Sequence, residues 1–261
     1  MTLVTDYARQ HAWRRWPEVY PALGDLAETR VLDLGCGIGD QARDLAARGA
    51  EVWGVDANPA LIDHARSRGI PRARFRCADL EALDASEGTV SGVWASFVAA
   101  YFPRFDELLA PVEPMLEPGG WLAITEVDDL FGHEPLDARW RDLVEAYYAR
   151  SLEEGVHRFR SRAHVCSALA RGGWRVEVTR ELDDDEFGFT GPASAEVLDG
   201  WRARLARMMP HFVERFGDRA VGFDDALLAC LSSAEHRSRS QVWFVLARRD
   251  GDAAPVRTPR S

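Results

Sequence analysis

The stretch Val31-Leu-Asp-Leu-Gly-Cys-Gly-Ile-Gly-Asp40 decides how this chain is read. A short apolar strand runs into Gly35, Gly37 and Gly39, and a helical pattern opens at Asp40. Glycines at this spacing let the backbone turn tightly and come close to a ligand, where the first N–H groups of the helix point outward. The stretch is a cradle for a nucleotide cofactor. A dinucleotide fingerprint, Gly-x-Gly-x-x-Gly, requires glycine or alanine where Asp40 stands. Asp33 lies just before the glycines, so two carboxylates flank the turn and repel a diphosphate. A phosphate-free donor carrying an ammonium group suits the same charges.

S-adenosylmethionine is such a donor: Asp33 meets its ammonium, directly or through water, and the helix N-terminus receives its carboxylate. The downstream segments extend the pattern. Glu51-Val-Trp-Gly-Val-Asp56 reads as a second buried strand, ending in an acidic residue about 20 residues beyond the glycines. Arg74-Phe-Arg-Cys-Ala-Asp-Leu80 reads as a third, and Gly92-Val-Trp-Ala-Ser-Phe-Val-Ala-Ala-Tyr101 as a fourth strand with its exit loop. Met115-Leu-Glu-Pro-Gly-Gly-Trp-Leu-Ala-Ile-Thr-Glu126 gives a helix end, a Pro-Gly-Gly turn and a fifth strand. In this order and spacing, over residues 31–127, the series resembles the class I S-adenosylmethionine-dependent methyltransferases of the small-molecule type.

The resemblance implies a set of cofactor contacts. Gly35, Cys36, Gly37 and Gly39 line the turn, Asp56 with Ala57 takes the ribose hydroxyls, and Asp79 accepts a hydrogen bond from the adenine amino group beside Leu80. Ala95 and Ser96 face the cofactor beneath its methyl group, and Tyr101 stands at the mouth. Gln41 either touches the methionine tail or simply opens the helix. Asp33, Asp56 and Asp79 are also of a type that caps turns and helices, but their recurrence at successive strand ends favours a shared ligand.

The implied fold is α/β: a Rossmann-like, mostly parallel seven-stranded sheet with helices on both faces, plus a helical cap inserted between the last two strands. The 261 residues, 46% of them hydrophobic, suffice for one such domain. Residues 1–24 form an N-terminal helical lid, 25–182 and 237–249 the core, 183–236 the cap, and 250–261 a disordered tail. The lid helix spans Asp6 to Tyr20 and is bent or ended by Pro17; its Tyr7 and Trp16 either close over the cofactor or pack the helix to the core. Helical patterns also cover Asp137 to Glu154 and Arg162 to Arg171, the latter stopped by Gly172-Gly173. Trp174 to Leu182 and Gln241 to Arg248 read as the last two strands, which pair antiparallel in the family. About sixty residues separate them, too many for a hairpin turn. That insertion carries helices from Ser194 to Met209 and from Phe223 to Ser232, a lid over the strand ends where such sheets bind ligands. The acidic run 183–186 reads as a solvated loop.

Composition narrows the partners. A net charge of −10 argues against a nucleic-acid substrate, which needs clustered positive charge. No run approaches the ~20 apolar residues of a membrane span, and the first residues are too polar for a secretory signal. Cys36, Cys77, Cys166 and Cys230 are scattered without metal-ligand or disulfide spacing. These features predict a cytoplasmic enzyme of secondary metabolism, monomeric or homodimeric, with no metal. The basic residues other than histidine are all arginine, with no lysine.

Methyl transfer is an in-line displacement that depends on alignment in a dry pocket, with a base only where the acceptor must lose a proton. Glu126, Asp128, Asp129 and His133 follow the fifth strand. His133, near neutrality when unperturbed and placed on a loop toward the cap, is the first candidate base. Glu126 is the second candidate, orienting substrate or closing a hydrogen bond beneath the cap. The expected reaction is methyl transfer to oxygen or nitrogen of a small aromatic or amino-acid-derived metabolite. Two alternatives keep the fold and cofactor, a non-methylating enzyme and a regulatory cofactor binder; a nicotinamide oxidoreductase is disfavoured by the carboxylates around the glycines.

Overall fold

A computed structural model describes residues 3–83 and 88–249. Seven strands form one sheet in the order β3-β2-β1-β4-β5-β9-β7. They are β1 (Arg30–Leu34), β2 (Glu51–Asp56), β3 (Ala73–Cys77), β4 (Val90–Ser96), β5 (Leu116–Asp128), β7 (Trp174–Leu182) and β9 (Gln241–Arg249). The first five pair in parallel, whereas β9 runs antiparallel to both β5 and β7. A separate ribbon pairs β6 (His133–Glu134) with β8 (Arg237–Ser238). The order reverses at β1, and the two diverging halves open a crevice at the carboxyl ends of β1 and β4.

Strand burial follows from this layering. A parallel sheet covered on both faces needs apolar residues on both, and side chains alternate between them. Val31, Val52, Trp94 and Phe244 join the apolar layer that holds α2 (Trp16–Val19) and α3 (Asp40–Ala46). Leu32, Val55, Ala95 and Val245 join the opposite layer, with α5 (Asp106–Val112) and α7 (Arg162–Arg171). Helix α4 (Pro59–Ser67) is capped by Asn58, whose side chain accepts from the N–H of Ala60 and Leu61.

Three sequence expectations are corrected here. The N-terminal segment is not one helix bent at Pro17: α1 (Leu3–Ala12) ends before Trp13, and Pro17 sits in the first turn of α2, where its missing N–H costs nothing. The cap helix does not stop before Pro210 but runs on as α8 (Ala195–Phe216). Beyond the proline, Phe212 is fully buried and stacks on Tyr147 of α6 (Ala138–Glu153) at 3.8 Å, so packing carries the helix through. The acidic run 183–186 is not a solvated loop, because Asp184 and Glu186 are buried. The second cap helix, α9 (Phe223–Leu231), lies within the expected span. The expected tail, 250–261, lies outside the described residues.

Candidate active site

The glycine turn between β1 and α3 has the geometry of a ligand cradle. Gly35, Gly37 and Gly39 all have positive φ, which side-chain-bearing residues rarely adopt. A Cβ on Gly35 would lie 2.3 Å from Val98 Cγ2, and one on Gly37 would lie 2.9 Å from the Tyr7 ring. Asp56, at the end of β2, fixes the turn: its Oδ2 accepts from Gly37 N at 3.0 Å and its Oδ1 from Asn58 N at 2.8 Å. Asp33 is 1% exposed, accepts from the Ala42 N–H, and leaves Oδ2 buried with no partner. Burial and the neighbouring Asp56 push the Asp33 carboxyl well above the usual range. A cationic group beside Asp33 would satisfy that oxygen and relieve the repulsion.

The acidic pair at the cleft is thus Asp33 with Asp56, and the expected pairing of Asp33 with Asp40 is revised. Asp40 is engaged by Arg68 at 2.8 Å and Arg43 at 3.1 Å, so its charge is offset within the fold. The Cys36 thiol is buried beside Asp33 and Asp56, which raises its pKa and leaves it inert. Gln41 accepts from the Tyr20 hydroxyl at 2.7 Å and keeps a buried, unpartnered Nε2. Asp79 caps the short turn after β3 by accepting from Glu81 N at 3.0 Å, with Leu80 buried beside it. Ala57 follows Asp56 in the loop before α4. Ala95 is buried at the end of β4, and Ser96 Oγ accepts from Trp94 Nε1 at 3.1 Å.

Helix α1 lies across this turn. Tyr7 covers Gly37; although 38% of the residue is open to solvent, crowding of its phenol pushes its pKa up to about 12, with Tyr101 and Asp56 acting in the same direction and Arg204 and Arg207 against it. Tyr101, 64% exposed, packs edge-on against His157 at 4.7 Å. Trp16, by contrast, packs into the core: its ring contacts Trp94 and Phe97, and its indole N–H donates to His11 O at 3.0 Å.

Glu126, at the end of β5, is buried and joins the β4 exit loop. Its Oε2 accepts from Ala100 N at 3.0 Å and its Oε1 from Val127 N at 2.9 Å. Burial outweighs these bonds and lifts its pKa to about 7. His133 does not stand on an open loop. It is buried under the cap, edge-on to Trp201 at 5.1 Å, with Nδ1 3.1 Å from His236 Nε2. Desolvation and His236 lower its pKa to about 3, so it is neutral across the physiological range. The apolar cap that surrounds His133 depresses its basicity, which counts against the expectation that it is the first candidate base.

Sequence reading missed the ionic roof. Arg14 is buried between the rings of Phe97 and Phe187, 4.8 Å from each, and binds Asp184 at 2.9 Å and Glu186 at 2.7 Å. Arg204 of α8 takes the other Glu186 oxygen at 2.6 Å. Asp6 of α1 is held by Arg9 at 3.1 Å and by Arg207 of α8 at 2.6 Å. The bonds of Arg14 to Asp184 and Glu186 and of Asp6 to Arg207 span about 170 to 200 residues of sequence, a distance over which no local pattern links them. Among the described residues no cluster of His, Cys, Asp and Glu is arranged to hold a metal, and no helix is long and apolar enough to cross a membrane.

Residues 31–120 match the family model described as a methyltransferase domain. That segment is therefore a methyltransferase domain. The chain is 35% identical over 161 residues to the biotin biosynthesis bifunctional protein BioHC of Cellvibrio japonicus, covering 60% of this chain and 30% of that protein. It is 29% identical over 184 residues to a ubiquinone biosynthesis O-methyltransferase of Xanthomonas oryzae pv. oryzae, covering 69% and 71%. The chain thus spans less than a third of the length of the first relative. Its fold is that of an S-adenosylmethionine-dependent methyltransferase from Mesorhizobium loti, with a TM-score of 0.56, 21% identity, and coverage of 90% of this chain and 97% of that one. The methyltransferase of this fold from Mesorhizobium loti is S-adenosylmethionine-dependent. The unpartnered Asp33 oxygen, the glycine turn beneath Tyr7 and the acidic end of β2 fit the cationic, phosphate-free form of that cofactor.

Proposed function

We propose that this protein transfers the methyl group of S-adenosylmethionine to an oxygen or nitrogen of a small aromatic or amino-acid-derived metabolite. The observation that carries this reading is the buried Asp33 carboxyl, raised and half unpartnered, beside Asp56 under a glycine turn. The bound cofactor supplies an electrophilic methyl on a sulfonium. Asp33 would hold the ammonium, the turn formed by Gly35, Cys36, Gly37 and Gly39 would seat the methionine part, Asp56 and Ala57 the ribose, and Asp79 and Leu80 the adenine. Ala95, Ser96 and Tyr101 would line the methyl side, with Tyr7 as cover. Gln41 and Trp16 would support the pocket from behind, through Tyr20 and Trp94.

Glu126 is the proposed proton acceptor. With a pKa of about 7 it is substantially ionised at neutral pH, yet basic enough to take a proton from a phenol or ammonium-type acceptor. The name of the ubiquinone biosynthesis relative, an O-methyltransferase, supports oxygen as the acceptor atom. Four free, scattered cysteines support a cytoplasmic setting, and the large aromatic cap supports an aromatic acceptor; the proposal extends to a role in secondary metabolism as a monomer or homodimer.

Calorimetry with S-adenosylmethionine, S-adenosylhomocysteine and NAD, followed by incubation of a metabolite extract with labelled methyl donor, tests the reading. Binding of both adenosyl ligands with label transferred to a small molecule is expected. Binding of NAD alone overturns it, and tight product binding with no label transfer assigns a regulatory role instead.

A further inference from the structure

The crevice is electrically two-sided, a feature that composition conceals. Its floor, built from Asp33, Asp56 and Glu126 at the ends of β1, β2 and β5, is acidic and suits a cationic donor. Its roof is the reverse. In a chain of net charge −10, α1 and α8 bring Arg9, Arg204 and Arg207 to the same side, with Arg14 just beyond the end of α1. The acids among them are Asp6, Asp184 and Glu186, so four guanidinium groups face three carboxylates.

The surplus is located on α8. Arg14 is spent on Asp184 and Glu186. Arg204 gives one Nη2–H to Glu186 and keeps a buried Nε with no partner. Arg207 donates through Nη1 to Asp6, which also holds Arg9, and its side chain is 45% exposed. Arg207 is bonded to Asp6, the neighbour of Tyr7, whose ring covers Gly37. Arg204 shares Glu186 with Arg14, which lies 4.8 Å from the ring of Phe97 on the β4 exit loop. Both therefore stand over the ends of β1 and β4.

We propose that the underside of α8 is an anion subsite, in which Arg207 and Arg204 receive a carboxylate of the methyl acceptor opposite the cofactor floor. A guanidinium presents planar, forked donors that match a carboxylate, and the crevice walls strengthen the attraction. With the cofactor seated over Asp33 and Asp56, α8 offers the guanidinium groups that receive an acid, so the acceptor enters in one orientation: acid toward α8, nucleophilic atom toward β4 and β5. This assignment rests on the methyltransferase reading and names its acceptor class, an aromatic or amino-acid-derived acid.

The test uses full-length protein loaded with S-adenosylhomocysteine. Benzoate, phenylacetate and 4-hydroxybenzoate are each compared with their amides by calorimetry at low salt. The acids are expected to bind at least tenfold more tightly than their amides. In Arg207→Gln that preference should fall to within twofold; the same change releases α1 from α8, so the ratio of acid to amide affinity, in which that loosening cancels, is the quantity read. Arg202→Gln, on the same helix but paired with Asp199, should keep the preference and so controls for net charge and folding. Equal binding of acids and amides, binding of neither series, or a preference that survives Arg207→Gln overturns the proposal. Failure of S-adenosylhomocysteine to bind is a separate result, and it strikes the methyltransferase reading itself.

Discussion

At the scale of single residues, the proposed site is built on carboxyls held out of water. Asp33 is raised by burial and by Asp56, and the arrival of a cation beside it reverses that shift. Cofactor binding should therefore release protons, seen as a binding enthalpy that varies with the ionisation enthalpy of the buffer; an enthalpy independent of buffer would remove Asp33 from the ammonium site. Replacing Asp56 with alanine should weaken S-adenosylhomocysteine binding by about 1 to 3 kcal/mol, the cost of lost charge-assisted hydrogen bonds. Part of that loss comes from the freed Gly37 and Asn58 N–H groups, so Asp56→Asn should lose less. Glu126 has a folded-state pKa of about 7 against an ordinary value of 4.5. The native state thus binds its proton more tightly than the unfolded state does. Its contribution to stability is full below the unfolded value and lost as pH rises through 7. Activity runs the other way: kcat/KM should climb through a pKa near 7, and Glu126→Gln should abolish that limb with a loss of roughly 100-fold or more. The glycine turn and the acidic strand ends were legible in the sequence because chain order alone brings them together. The depressed basicity of His133 was not, since it arises from Trp201 and His236, which fold over it from the cap.

At the scale of elements, α1 is tied to the cap rather than lying free on the core. Asp6 bridges to Arg207, Trp13 packs so closely on α8 that a Cβ on Gly200 would lie 2.9 Å from its ring, and Arg14 joins Arg204 through Glu186. Tyr7 is thereby held over Gly37. Asp6→Asn should leave the core intact, lower stability by about 1 to 3 kcal/mol in urea unfolding, and speed cofactor dissociation measured by stopped-flow. An unchanged dissociation rate would show that the latch does not control access. Segment boundaries followed from the sequence wherever backbone chemistry sets them, as at Gly172-Gly173 before β7. They were missed where packing sets them. Pro210 interrupts the helical hydrogen bonds of α8, but the burial of Phe212 against Tyr147 outweighs that loss, and no local signal reveals a partner in α6.

Across the whole molecule, the Arg14, Asp184, Glu186 and Arg204 cluster joins the N-terminal segment, the chain leaving β7 and the cap into one unit. Because Glu186 is buried between two arginines, Glu186→Gln leaves buried positive charge uncompensated and should cost about 3 to 5 kcal/mol, read as a lowered denaturation midpoint. A variant as stable as the parent would mean that the cluster is dispensable. The α/β class and strand sequence were readable from periodicity and motif order. The acidic run 183–186 was misread because its counter-charges come from Arg14 and from α8, and acidity alone looks like a wish for solvent. The sheet order carries a consequence of its own for how the chain reaches this state. Strand β9, although last in sequence, lies between β5 and β7 rather than at an edge. Until it arrives, β5 and β7 each lack the partner that lies between them in the finished sheet. Completion of the sheet is therefore a late, long-range event, and the protein's kinetic vulnerability to aggregation is concentrated in the interval before that strand inserts.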